Sequence, residues 1–183
     1  MQRSMPRLRL VKQLSYAQAV RKTSFADMDC SVAQSLEIIG EWWTLLIVRD
    51  ALLGIRRFDD FVERLGISRN VLADRLETLV DAGVLARRPY DEARGRYDYL
   101  LTDKGRALWP VLTALRQWGD AWIAGPGNEP LLLEHCNRGH RTTARLTCDV
   151  CGDELDARSV RAVPGPGATT GSPAGPAAPR PES

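Results

Sequence analysis

The sequence predicts a mainly α-helical chain interrupted by one small β-hairpin, an α+β fold, and three observations predict it. Apolar residues recur at helical spacing between residues 31 and 82. Residues 84–101 then read strand, turn, strand, with β-branched and aromatic residues on either side of DEARG. A tryptophan-bearing helical stripe follows, and after it comes a short segment rich in Cys and His.

At 183 residues and 44% hydrophobic, the chain is long enough for one cored domain with an appendage, and a second large domain is not expected. No run of 18 uncharged apolar residues occurs, and the basic start lacks the apolar stretch and small-residue site of a secretory signal. The expected location is the cytoplasm, with no membrane partner. A net charge of +2 decides nothing by itself, because contact with a polyanion depends on where positive charge sits. The expected organisation is a basic extension over residues 1–24, a helical domain over 25–124, a small hairpin over 130–163 and a Pro-, Gly- and Ala-rich disordered tail over 164–183. The extension carries Arg3, Arg7, Arg9, Lys12, Arg21 and Lys22 without an acidic residue. It reads either as a phosphate-touching arm or as a disordered leader.

Within the domain, Ser31 is the expected cap of a first helix bearing Val32, Leu36 and Ile39 and closed by Gly40. The stretch EWWTLLIVRDALLG, residues 41–54, is apolar on nearly every side, so it should be the central core helix with Trp42 and Trp43 as packing residues. A short helix is expected over residues 59–65, capped by Asp59, with Phe58 and Phe61 turned inward. Gly66 then supplies a turn, and Ser68 caps a helix over residues 69–82 whose Leu72, Leu76, Leu79 and Val80 form a sharp stripe.

Helix, short glycine-bearing turn, helix is the helix-turn-helix pattern, and a hairpin directly after its second helix is a wing. Thr102 should cap a long helix in which Leu108, Val111, Leu115, Trp118 and Trp122 recur at roughly heptad spacing. Such a stripe exceeds what a small winged domain covers, so its expected partner is the same stripe of a second subunit. Pro110 should kink or reset this helix.

In helix-turn-helix geometry the second helix enters the major groove by its N-terminal end. With the leucines inward, Ser68, Arg69, Asn70 and Asp74 are the base-facing candidates; arginine reads guanine and asparagine reads adenine through paired hydrogen bonds. The wing adds Arg87, Arg88, Arg94 and Arg96, and Arg56 and Arg57 precede the motif, all candidates for phosphate contact. Residues 40–101 nonetheless hold ten Arg against eleven Asp and Glu. A winged module that binds a protein through Asp74, Glu77 and Asp81 is therefore the competing reading. Salt dependence of DNA binding separates the two.

From Cys30 to Trp122 the chain resembles the HxlR-type winged helix-turn-helix regulators, relatives of the MarR group. The marks are Cys30, GEWWTLLIVRDALLG, RRFDDFVERLGISRNVLADRL, LVDAGVLARRPY and RYDYLLTDKGRALWPVL ending in QWGDAW. The resemblance implies a homodimer formed by terminal helices, recognition helices on a partly palindromic operator, and action as repressor or activator. It also implies a redox or electrophile-sensing role for a cysteine placed like Cys30, where a helix N-terminus favours the thiolate; burial as a small hydrophobe is the alternative.

The segment after residue 127 offers His135, Cys136, His140, Cys148 and Cys151. CxxCG at residues 148–152 has the form of a zinc knuckle, and Cys136 and His140 could complete a four-ligand structural zinc site, with His135 the competing donor. About thirty residues cannot build a core alone, so one structural zinc is the expected cofactor; reduced thiols are the alternative. No nucleophile with an adjacent base, phosphate-cradling loop or paired carboxylates stands out, so no enzyme is expected.

Overall fold

The computed structural model describes residues 24–168. The basic extension and the tail from residue 169 onward lie outside the described residues. Four helices come first: α1 Ser31–Ile39, α2 Trp42–Leu52, α3 Phe58–Leu65 and α4 Arg69–Asp81. A hairpin of β1 Leu85–Asp91 and β2 Arg96–Leu101 follows, then α5 Asp103–Arg106, α6 Trp109–Gly119 and a wide final turn over Asp120–Ala124. A second, minimal hairpin pairs β3 Leu133–Glu134 with β4 Arg141–Thr142.

The core is the meeting point of the first hairpin and three helices. Ile47 and Val48 of α2, Phe61 of α3, and Leu72, Leu76 and Leu79 of α4 are buried together with Ile67, Val84 and Leu85. Each such side chain contributes about 1.5–3 kcal/mol by leaving water. The α4 stripe reads as expected: Ser68 is its N-cap, and its Oγ accepts the Val71 N–H at 3.4 Å. Gly66, at φ 63°, makes the left-handed turn that lets α3 stop and α4 begin within a few residues.

Other expectations need correction. Trp42 is not a packing residue; it is 90% exposed, while Trp43 packs against the core. Neighbouring residues on a helix point about 100° apart, so one tryptophan of the pair faces away. Val32 and Leu36 are likewise exposed, and α1 buries Ala33 and Ile39 instead. Cys30, not Ser31, is the residue at the N-cap of α1, and Arg57, not Asp59, precedes α3. Asp59 lies inside the first turn of α3, where its charge suits the positive helix end.

The single long helix expected after Thr102 is two helices. Thr102 does cap the first, its Oγ1 accepting the Gly105 N–H at 3.1 Å and donating to the Gly83 carbonyl at 2.7 Å. The chain then resets, and Pro110 falls in the first turn of α6, where a missing N–H leaves no helix bond unmade. Lys104 Nζ donates to the Ala82 carbonyl at 2.8 Å, so this reset also ties off the C-terminal end of α4.

A feature absent from the sequence reading is the buried Asp50 in α2. Its Oδ1 accepts from Arg49 Nε at 2.8 Å and pairs with Arg64 Nε at 3.2 Å. The appendage is docked on α6 by Gln117, whose amide donates to the Ala144 carbonyl and accepts the Ala144 N–H, both at 3.0 Å. Among the described residues no helix is long and apolar enough to cross a membrane.

Candidate nucleic-acid interface

The exposed N-terminal end of α4 and the first hairpin are presented from one scaffold, because α4 packs against β1 and the hairpin is tied back to the loop before α3. That tie has two parts. Tyr99 N–H donates to the Arg56 carbonyl at 2.8 Å, and Arg57 forms an antiparallel bridge with Asp98. The loop thus acts as a short third strand, fixing the wing relative to the helix-turn-helix. In β1 and β2, Leu85 pairs with Leu101, Arg87 with Tyr99 and Arg88 with Asp98, and the register shifts between Pro89 and Asp91. Burial pushes the Tyr99 phenol up, partly opposed by the Arg87 charge.

Ser68, Arg69, Asn70 and Asp74 are all exposed along the outer face of α4. They differ in what already holds them. Arg69 reaches back to Asp59 at 2.8 Å and lies over the Phe58 ring, its guanidinium carbon 4.9 Å from the centroid. Asp74 pairs with Arg75 at 2.8 Å. Both pairs are solvent-exposed on the acidic side and therefore weak, worth roughly 0–1 kcal/mol, so a phosphate or base can displace them.

The six flanking arginines also divide. Arg57 and Arg88 converge on Asp98, at 3.9 and 3.4 Å, and Arg57 additionally covers the Tyr90 ring at 4.8 Å. Arg94 lies 3.7 Å from Asp91, across the turn Glu92–Arg94. Among the described residues Arg56, Arg87 and Arg96 are within 4 Å of no acidic group, and all are exposed. Arg87 and Arg88, adjacent on β1, leave opposite faces of the hairpin. Sequence reasoning grouped these arginines as one cluster and missed Asp98, whose two neutralising contacts separate them. The signal was present: Asp98 is the one acidic residue of β2, set between two tyrosines.

The HxlR-like helix-turn-helix family profile matches residues 38–126. An uncharacterised HTH-type transcriptional regulator of Mycobacterium tuberculosis, Rv3095, is 44% identical over 137 residues, 75% of this chain and 87% of the relative. The chain belongs to the HxlR-like family. It is a DNA-binding transcriptional regulator of the helix-turn-helix type. Among solved structures, that of PA1607, a candidate transcription factor, is similar at a TM-score of 0.69 and 39% identity, over 77% of this chain and 99% of that one. PA1374 of Pseudomonas aeruginosa, another candidate transcription factor, is similar at a TM-score of 0.57 and 38% identity, over 76% of this chain and 95% of that one.

Elsewhere on this HxlR-like chain, Leu108 packs against the core, whereas Val111, Leu115, Trp118 and Trp122 are exposed together with Trp109 and Ile123. Cys30 is exposed, and its thiol makes no cap hydrogen bond. In the appendage His135 stacks on His140 with ring centroids 5.6 Å apart. Cys148 is partly buried, while Cys136 and Cys151 are exposed. Among the described residues no three His, Cys, Asp or Glu side chains gather into a metal-holding group, so the five expected zinc donors are not brought to one point. The N–H groups of Cys151, then Val150, and the Cys151 side chain hold the Cys148 thiol below its ordinary range.

Proposed function

We propose that this regulator binds promoter DNA as a homodimer, with the α4 N-terminus in the major groove and the hairpin arginines on the flanking backbone. One observation carries the reading: exposed Ser68, Arg69 and Asn70 stand at a capped helix start beside a hairpin whose Arg87 and Arg96, with nearby Arg56, have no acidic partner among the described residues. Asn70 is suited to an adenine edge and Arg69 to a guanine once it leaves Asp59. Arg57, Arg88 and Arg94 supply further backbone charge after exchanging their carboxylate partners.

The dimer reading is supported by the exposed stripe Val111, Leu115, Trp118 and Trp122, Trp118 being 56% and Trp122 78% exposed, and by Val32 and Leu36 on α1. A contiguous apolar surface of this kind marks an interaction site. The division of labour follows: residues 25–124 bind DNA and dimerise, and residues 130–163 ride on α6. The protein acts in the cytoplasm by binding and not by catalysis, in keeping with relatives that are named as transcriptional regulators.

The test is a titration of the full chain with genomic promoter fragments at several salt concentrations, alongside a fragment of scrambled sequence. A logarithmic affinity that falls linearly with the logarithm of salt, and a preference for one promoter of at least about a thousandfold, is expected. Binding that ignores salt, or equal binding to scrambled DNA, would favour the protein-interaction reading built on Asp74, Glu77 and Asp81.

A further inference from the structure

Residues 133–142 and 146–155 are two copies of one turn. Leu133 pairs with Thr142, and Leu155 N–H donates to the Leu146 carbonyl at 2.8 Å. Glu134 pairs with Arg141, and Thr147 bridges Glu154. His135 N–H donates to the His140 carbonyl at 2.9 Å, as Cys148 N–H does to Asp153 at 2.8 Å. Gly139 N–H donates to His135 at 2.8 Å, as Gly152 N–H does to Cys148 at 2.9 Å, and both glycines are left-handed at φ 64° and 79°. These four pairs map onto their counterparts by the same offset, 134 to 147 and 141 to 154 being one instance, whereas the Arg138 N–H bond to the His135 carbonyl at 3.0 Å has no counterpart at Cys151.

This register decides which side chains occupy equivalent places. The second copy puts Cys148 and Cys151 at the first and fourth positions of the turn; the first copy puts His135 and Arg138 there. Cys136 and His140, nominated by spacing, match Asp149 and Asp153 and fall outside those positions. A closed zinc site of two such turns needs four donors. Arginine has no lone pair to give and remains charged, so Arg138 fills the fourth place with a cation. The donor set does not fit a structural zinc.

We propose that Cys148 and Cys151 form a metal-free dithiol, a modification site at which hydrogen peroxide makes an intramolecular disulfide. Cys148 and Cys151 stand at the first and fourth positions of one tight turn, closed by the Gly152 N–H on the Cys148 carbonyl at 2.9 Å, and the exposed Cys151 thiol donates to Asp153 Oδ2 at 3.3 Å. The Cys148 thiolate attacks the peroxide oxygen, the O–O bond breaks, and a sulfenic acid and hydroxide form. The Cys151 sulfur then attacks the Cys148 sulfur; the S–S bond forms as the S–O bond breaks, releasing a second hydroxide, while the two thiol protons convert both hydroxides to water. Two thiols are oxidised and one peroxide is reduced.

The test treats the full chain with hydrogen peroxide and counts thiols by alkylation and peptide mass mapping. Loss of two of the four thiols, with a single disulfide joining Cys148 to Cys151, is expected, and Cys148→Ser should abolish it. Persistence of all four thiols, or a disulfide from Cys148 to Cys30 or Cys136, overturns the proposal. A second measurement uses cobalt(II) alone as probe. Wild type should show no thiolate charge-transfer absorption of a tetrahedral site; wild type giving that absorption overturns the proposal.

Discussion

Gly105 stands where a methyl group would meet the Val84 carbonyl oxygen at 2.3 Å and Leu101 Cδ2 at 2.8 Å. The contact is to backbone, which cannot swing away, and it joins the start of α5 to the strand beneath it. Gly105→Ala should therefore cost about 1–3 kcal/mol by overpacking, read as a lower urea midpoint at unchanged slope; an unchanged midpoint would refute the close approach. Asp50 makes a second residue-scale demand, since one fully buried carboxylate holds both Arg49 and Arg64. Asp50→Ala should destabilise by about 1–3 kcal/mol, because it removes the buried acceptor that two half-exposed arginines share, measured by the same denaturation. Its signal in the sequence was a lone Arg-Asp pair within the apolar run of α2, which periodicity alone assigns to no partner.

At the scale of elements, the hairpin is positioned by its pairing with the Arg56–Arg57 loop, and its arginines are sorted by Asp98. Arg87 and Arg96 are the wing arginines with no carboxylate among the described residues to leave. Replacing either with alanine should reduce the salt slope of DNA binding by about 1, with stability within about 0.5 kcal/mol of wild type. A slope identical to wild type for both variants would remove the wing from the interface. On α4, Asn70→Ala should cost about 1–3 kcal/mol of binding and relax preference at one base-pair position, visible in a panel of single-base operator variants. A uniform loss across the panel would assign Asn70 to the backbone instead.

For the whole molecule, the uncovered apolar face of α6 sets the assembly prediction. A stripe with Leu115 at 51% and Trp118 at 56% exposed is poorly matched to water in a lone protomer. Trp118→Arg should shift the chain from dimer to monomer in sedimentation velocity, and remove the concentration dependence of the melting temperature. Because a symmetric operator engages two recognition helices at once, the same change should weaken promoter binding while leaving the fold of residues 25–124 intact by circular dichroism. A variant that still sediments as a dimer would place the interface elsewhere, with α1 and its exposed Val32 and Leu36 the next surface to alter.

The α4 stripe, the Ser68 cap, the hairpin and the Thr102 cap were legible in the residues themselves, because hydrophobic period, capping chemistry and turn composition act over a few neighbours. Three-dimensional packing alone decided the rest. Which of Trp42 and Trp43 meets the core, that Leu108 leaves the tryptophan stripe, and that Asp98 pairs with Arg57 and Arg88 and not with Arg87 or Arg96 all depend on contacts between separate elements. The appendage shows the same division: spacing proposed Cys136 and His140 as donors, and hydrogen-bond register placed His135 and Arg138 in the equivalent positions. Local sequence fixes what a segment prefers to be, whereas the neighbours it meets, and hence the charge and exposure of its side chains, exist only once the chain has folded.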